Sequence, residues 1–153
     1  MPSILESFLA SDPKAAAKVE HAIHDFKHAH LDLVHAVNDL KHAKDDCAHA
    51  MQDFDHLIHD FEHAIADWES GGAQADHAKH DLDHADKDKS HATQDLEHAL
   101  KDIEHALNDF KHATKDLAHL DEDLADVVAL AKSAGVEISL ADAKAHVISQ
   151  AKI

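Results

Sequence analysis

The chain has few of the residues that interrupt helices or cross-link segments. Three glycines and two prolines in 153 residues leave little to break a helix. The single cysteine, Cys47, excludes an intramolecular disulfide. No basic segment followed by an apolar stretch opens the sequence, and no apolar run approaches the roughly 20 residues of a membrane span. Cytoplasmic residence is the expectation. Basic residues are scarce, 14 against 31 acidic, for a formal charge of −17. Nucleic acid and anionic membrane are disfavoured as partners, because their phosphates would be repelled. Cations are favoured instead. No phosphate-cradling loop and no nucleophile–base arrangement is present, so the sequence reads as a non-enzyme.

Histidine is abundant where so much else is scarce, with 19 residues. Fourteen of them recur every seven residues in one phase. His21, His28, His35, His42, His49, His56 and His63 form a first run. His77, His84, His91, His98, His105, His112 and His119 form a second, and the skipped step is Ser70, beside Gly71 and Gly72. Each is followed four residues later by aspartate. The first run carries Asp25, Asp32, Asp39, Asp46, Asp53, Asp60 and Asp67. The second carries Asp81, Asp88, Asp95, Asp102, Asp109, Asp116 and Asp123.

The same period organises the apolar residues. Alanine or leucine follows every one of these histidines: Ala22, Ala29, Ala36, Ala43, Ala50, Leu57 and Ala64, then Ala78 through Leu120. Larger side chains recur four residues on, at Phe26, Leu33, Leu40, Cys47, Phe54, Phe61 and Trp68. The second run has Leu82, Lys89, Leu96, Ile103, Phe110, Leu117 and Leu124 there. A sustained seven-residue apolar repeat specifies a left-handed coiled coil. Two runs broken at Ser70-Gly71-Gly72 specify an all-α fold, a long antiparallel two-helix hairpin over residues 21–123 with its turn at 70–73. Large residues of one arm are expected to sit against alanines of the other, with Phe54, Phe61, Trp68 and Phe110 in the core and Cys47 a small core residue. Further apolar residues at Ile23, Val37, Met51, Ile58, Ile65, Leu100 and Leu107 exceed what a two-helix seam needs. They suggest packing against extra helices, or a homodimer forming a four-helix bundle.

The ends have a different character. Ser3 with Glu6 is a capping box for a short helix, Asp12-Pro13 starts the first arm, Gly135 stops the second, and Ser139 with Asp142 caps a last helix. The short helices are expected to pack together at the open end of the hairpin. The stretch LESFLASDP, Leu5–Pro13, resembles the start of the nif-eleven-like leader peptide domain associated with nitrogen-fixation gene clusters. DVVALAKSAGVEISLAD, Asp126–Asp142, resembles its second half. The resemblance covers roughly residues 1–20 and 124–153 and is interrupted by the His/Asp repeat. It implies a bacterial protein whose helical end module is read by a maturation enzyme.

The chemistry lies in the stripe. Histidine and aspartate four apart share a helix face beside the alanine position. In an antiparallel pair the two stripes converge on one flank, so imidazole and carboxylate from each arm can form a four-ligand nitrogen–oxygen set. That set suits Zn²⁺, with Co²⁺, Ni²⁺ or Cu²⁺ as alternatives. Aspartate is either a direct ligand or a partner that orients the imidazole. His24, His59 and His80 lie off the stripe but pair at i,i+4 with His28, His63 and His84, adding chelating pairs; His30 and His146 do not. A site repeated in every heptad argues for metal storage or buffering, with release to a delivery partner. The alternative is a structural or proton-responsive face, with ion pairs worth about 0.2–0.5 kcal/mol each.

Overall fold

The computed structural model describes residues 1–153, all of whose regular structure is helical. α1 spans Ile4–Ser11, α2 Pro13–Ser70, α3 Ala73–Ser133 and α4 Leu140–Ala151. The two long helices pack together. None is long and apolar enough to cross a membrane.

The helix ends follow from local chemistry. The Ser3 hydroxyl accepts from the Glu6 N–H at 3.1 Å, and the Glu6 carboxylate accepts from the Ser3 N–H at 2.7 Å. This reciprocal box satisfies two donors that the first turn of α1 leaves free. Asp12 Oδ1 accepts from the N–H groups of Lys14 and Ala15 at 3.0 and 3.1 Å, while Pro13 has no donor to satisfy. α2 ends at Gly71 and Gly72, whose φ angles of +68° and +62° suit residues without a Cβ. α3 ends in the same left-handed conformation at Gly135, where the Val136 N–H donates back to the Ala131 carbonyl at 2.8 Å. Ser139 caps α4 through the Asp142 N–H.

The chain divides into two units. The first contains Met1–Ala36 and Leu107–Ile153. Here Leu5 and Phe8 of α1, Val19 of α2, Leu124 and Val127 of α3, and Val147 of α4 share one core. The short end helices thus pack around one apolar cluster. The second unit is Val37–Ala106, made only of α2 and α3. Its buried apolar residues are all alanines, Ala43, Ala50 and Ala64 from α2 and Ala78 through Ala106 from α3.

This alanine core corrects the expected packing. Phe54 and Phe61 are 42% and 45% exposed, Phe110 58% and Trp68 72%. Leu33, Leu40, Leu82, Leu96 and Leu117 are exposed as well, and Cys47 is half-buried. The reason is steric. On a coiled-coil wheel, each alanine is flanked about 50° to one side by the large residue and about 50° to the other by aspartate. Centring the contact on alanine lets the backbones approach, whereas Phe or Trp in the seam would hold them apart. The contact takes in the aspartate side instead, where all fourteen stripe aspartates are half-buried or buried. Of these large residues only Leu124 is fully buried, where the end helices supply the surface, while Phe26 and Ile103 are half-buried.

A seam of alanines has no room for branches. Ala92→Leu in the second unit is expected to destabilise the fold by about 1–3 kcal/mol through overpacking. Lys87→Leu, at an exposed position of the same helix, should change stability by no more than about 0.5 kcal/mol. Thermal melting followed by circular dichroism measures both.

Candidate metal centre

Every stripe histidine is exposed and every stripe aspartate lies closer to the seam. Asp25 and Asp81 are buried, at 6% and 9% exposure. The flank is therefore layered: alanine at the contact, carboxylate beside it, imidazole at the rim.

The layers converge most closely at two places. In the first unit, His21 Nδ1 lies 2.6 Å from Asp123 Oδ2 on the other long helix and 3.3 Å from Asp25 Oδ2 on its own. In the second unit, His77 Nδ1 lies 2.6 Å from Asp67 Oδ2 across the seam and 3.4 Å from Asp81 Oδ2. The two arrangements are the same constellation displaced along the sequence. The Oδ2 atoms of Asp25 and Asp81 are buried and accept no hydrogen bond. A buried carboxylate oxygen without a donor is costly unless a proton or a cation satisfies it. A third group, Asp53, His56 and Asp88, also brings its ligand atoms within 4.8 Å of one another.

Two grooves of the second unit gather the same residue types. His42, Asp46, His98 and Asp102 line one, with Asp45, Lys101 and His105 beside them. His49, Asp53, His91 and Asp95 line the other, with Gln52 and Gln94. Each groove holds a stripe histidine and a stripe aspartate from each long helix, and the first adds a third histidine, His105. Elsewhere the stripe residues keep their places without a hydrogen bond or ion pair to one another. His28, His35, His63, His84, His112 and His119 are exposed, while Asp32, Asp39, Asp60, Asp109 and Asp116 are half-buried. Off the stripe, His24 stacks near His28, His59 near His63 and His80 near His84, with ring centroids 4.5, 4.5 and 4.6 Å apart. His30 is exposed and His146 half-buried.

The i,i+4 spacing points to Asp25 and Asp81, but the closer carboxylate at both convergence points belongs to the other helix. Sequence reading also missed Lys18. Its Nζ lies 2.8 Å from Asp126 and 3.3 Å from Asp123. The signal was available in the repeat itself. Lys18 occupies the aspartate position one heptad before Asp25, and Asp126 occupies the histidine position one heptad after His119. A fixed ion pair therefore closes the stripe at that end. Gln52, Gln94, Asp45 and Lys101 carried no comparable signal.

The electrostatics follow the geometry. The hydrogen bond that His21 donates to Asp123, reinforced by the charge of Asp25, holds the imidazole above its ordinary pKa. Asp67 does the same for His77, with help from Asp81. Burial alone would raise Asp123, but the bonds from His21 and Lys18 outweigh it and the carboxyl ends below its usual value. Lys18 is raised by its bonds to Asp126 and Asp123.

No family model matches the chain, and no curated protein or solved structure compared with it does either.

For a histidine whose pKa is raised by folding, stabilisation is fully present below the unfolded value of about 6.5 and disappears as pH rises through the folded value. In metal-free protein, His21 should therefore titrate above that value, and Asp123→Asn should bring it down. NMR titration of the imidazole resonances checks this.

Proposed function

We propose that the chain binds several divalent transition-metal ions, zinc foremost, between its two long helices, and that it stores or buffers them. The observation that carries this reading is the convergence at His21 and again at His77. At each, one imidazole nitrogen meets carboxylate oxygens from both helices, one of them buried and without a donor.

The wider arrangement is an antiparallel pair in constant register. In the contacts His21–Asp123, Lys18–Asp126 and Asp67–His77, the two residue numbers add to 144. His56 and Asp88 of the third group obey the same rule. Carried along both helices, the rule assigns every stripe histidine a facing aspartate. It also closes the residues into sets of two histidines and two aspartates. The grooves lined by His42, Asp46, His98 and Asp102, and by His49, Asp53, His91 and Asp95, each include one such set, with His105 beyond it in the first.

Two nitrogens and two oxygens suit tetrahedral zinc, with Co²⁺, Ni²⁺ or Cu²⁺ admitted by the same donors. Ligand atoms about 2.0–2.1 Å from a tetrahedral ion lie roughly 3.3 Å from one another. The His21–Asp25 and His77–Asp81 separations, 3.3 and 3.4 Å, already have that spacing. The 2.6 Å bonds are proton-bridged lengths and would open when metal replaces the proton. Exposure of the histidines gives ions a route in and out. A site repeated in this way provides capacity, whereas catalysis needs one shaped site with an open coordination position.

The short imidazole–carboxylate bonds also favour a second reading, a face that senses protons and tightens in acid. Replacing the seven stripe histidines of one arm by Gln separates the two. Equilibrium dialysis with elemental analysis should find about seven zinc ions per parent chain, at two histidines per ion. The variant should bind half that number or fewer, with metal-free folding at pH 7.5 little changed. Binding of no more than one ion by the parent, or equal binding by the variant, would remove the storage reading. Unchanged metal response with loss of acid-side stability would favour the proton-sensing one.

A further inference from the structure

The unit formed by Val37–Ala106 uses only the alanine and aspartate sides of its helices, which leaves the large apolar residues uncovered. Along α2 they recur at alternating intervals of three and four from Val37 to Trp68, with Lys44 the one charged interruption. That spacing is a coiled-coil seam in its own right, separate from the alanine seam. Met51, Phe54, Ile58, Phe61, Ile65 and Trp68 are each between 42% and 72% exposed. On α3, Leu82, Leu96 and Leu100 extend the same side.

We infer that this face is covered by the same face of a second copy of the chain, giving a four-helix dimer. Three considerations select that occupant. The first is area. Large apolar side chains present about 150–250 Å² each when fully exposed. At the observed exposures the face offers on the order of 1,000 Å² per chain, above the roughly 300–600 Å² patch an ordinary monomer tolerates. A standard interface needs about 800 Å² per partner. The second is pattern. A three–four stripe accepts the matching stripe of another heptad helix, and this chain supplies one of equal length.

The third consideration is charge. Lys41 and Lys44 stand beside the apolar stripe of α2 toward its Val37 end, while Glu62 and Glu69 border it toward its Trp68 end. With the turns of two copies at opposite ends, α2 of one runs antiparallel to α2 of the other, and these lysines meet those acids. The His/Asp stripe lies across the alanine seam from this face, so the densest negative charge of the two copies stays apart. An anionic bilayer is a poor occupant, because interfacial helices need a basic polar face and this chain carries −17.

The dimer does not depend on metal, so sedimentation equilibrium of the full chain in chelator tests it apart from the metal reading. At about 10 μM the parent should have twice the single-chain mass. Ile58→Lys with Ile65→Lys should weaken association at least about a hundredfold while circular dichroism still reports helix, because both side chains are exposed in the single chain. If the lysine pair costs helix, Ile58→Gln with Ile65→Gln gives the same reading with helix-forming residues. Glu62→Lys should weaken association about tenfold. A parent of single-chain mass, association only when zinc is added, or glutamine and lysine variants that associate like the parent would each overturn the proposal.

Discussion

The close approach of two helices along a line of alanines is the constraint on which the other features depend. Aspartate is a short side chain. It reaches an imidazole on a neighbouring helix only if the backbones are near, and only small residues at the contact permit that. Alanine at the seam therefore determines whether His21 meets Asp123 at 2.6 Å or faces water. Replacing the large flanking residues would alter the exposed side. Replacing the alanines would take apart the acidic one.

The same packing explains how a stripe of like charges is tolerated. Fourteen aspartates along one flank repel one another, and partial burial makes each repulsion stronger because less water screens it. The structure contains two direct relief points, His21 and His77, each set between two carboxylates. A third relief comes from Lys18, which fixes Asp123 and Asp126 where the repeat stops. In the proposed register the carboxylates between these points face imidazoles rather than fixed cations, and an imidazole can share its carboxylate with a proton or a metal ion. Under the proposed function, such a stripe keeps an affinity for cations.

The helices, their caps and the break at Gly71-Gly72 were legible in the sequence because each rests on local chemistry. Ser3 with Glu6, Asp12 with Pro13, Gly135 and Ser139 act through residues within a few positions of themselves. The residue types of the candidate site were equally legible, since a seven-residue period of His and Asp has no ordinary packing role. The centring of the seam was not. Alanine has a large apolar neighbour on one side and aspartate on the other, and hydropathy favours burying the apolar one. Hydropathy alone therefore places Phe54, Phe61 and Trp68 in the core. Backbone proximity prevailed, and it could be seen only with both helices placed. For the same reason the sequence indicated Asp25 as the partner of His21, while the closer oxygen belongs to Asp123, 102 residues away.

The central claim is that imidazole and carboxylate from both long helices bind one ion together. Zinc K-edge X-ray absorption of the metal-loaded chain tests it most directly, because the spectrum reports the donor atoms themselves. The account predicts a four-coordinate shell of mixed nitrogen and oxygen at about 2.0–2.1 Å, with the outer-shell scattering of about two imidazoles per ion. A six-oxygen shell without imidazole scattering would mean that the ions are held only as hydrated counterions of an acidic surface, and would contradict it.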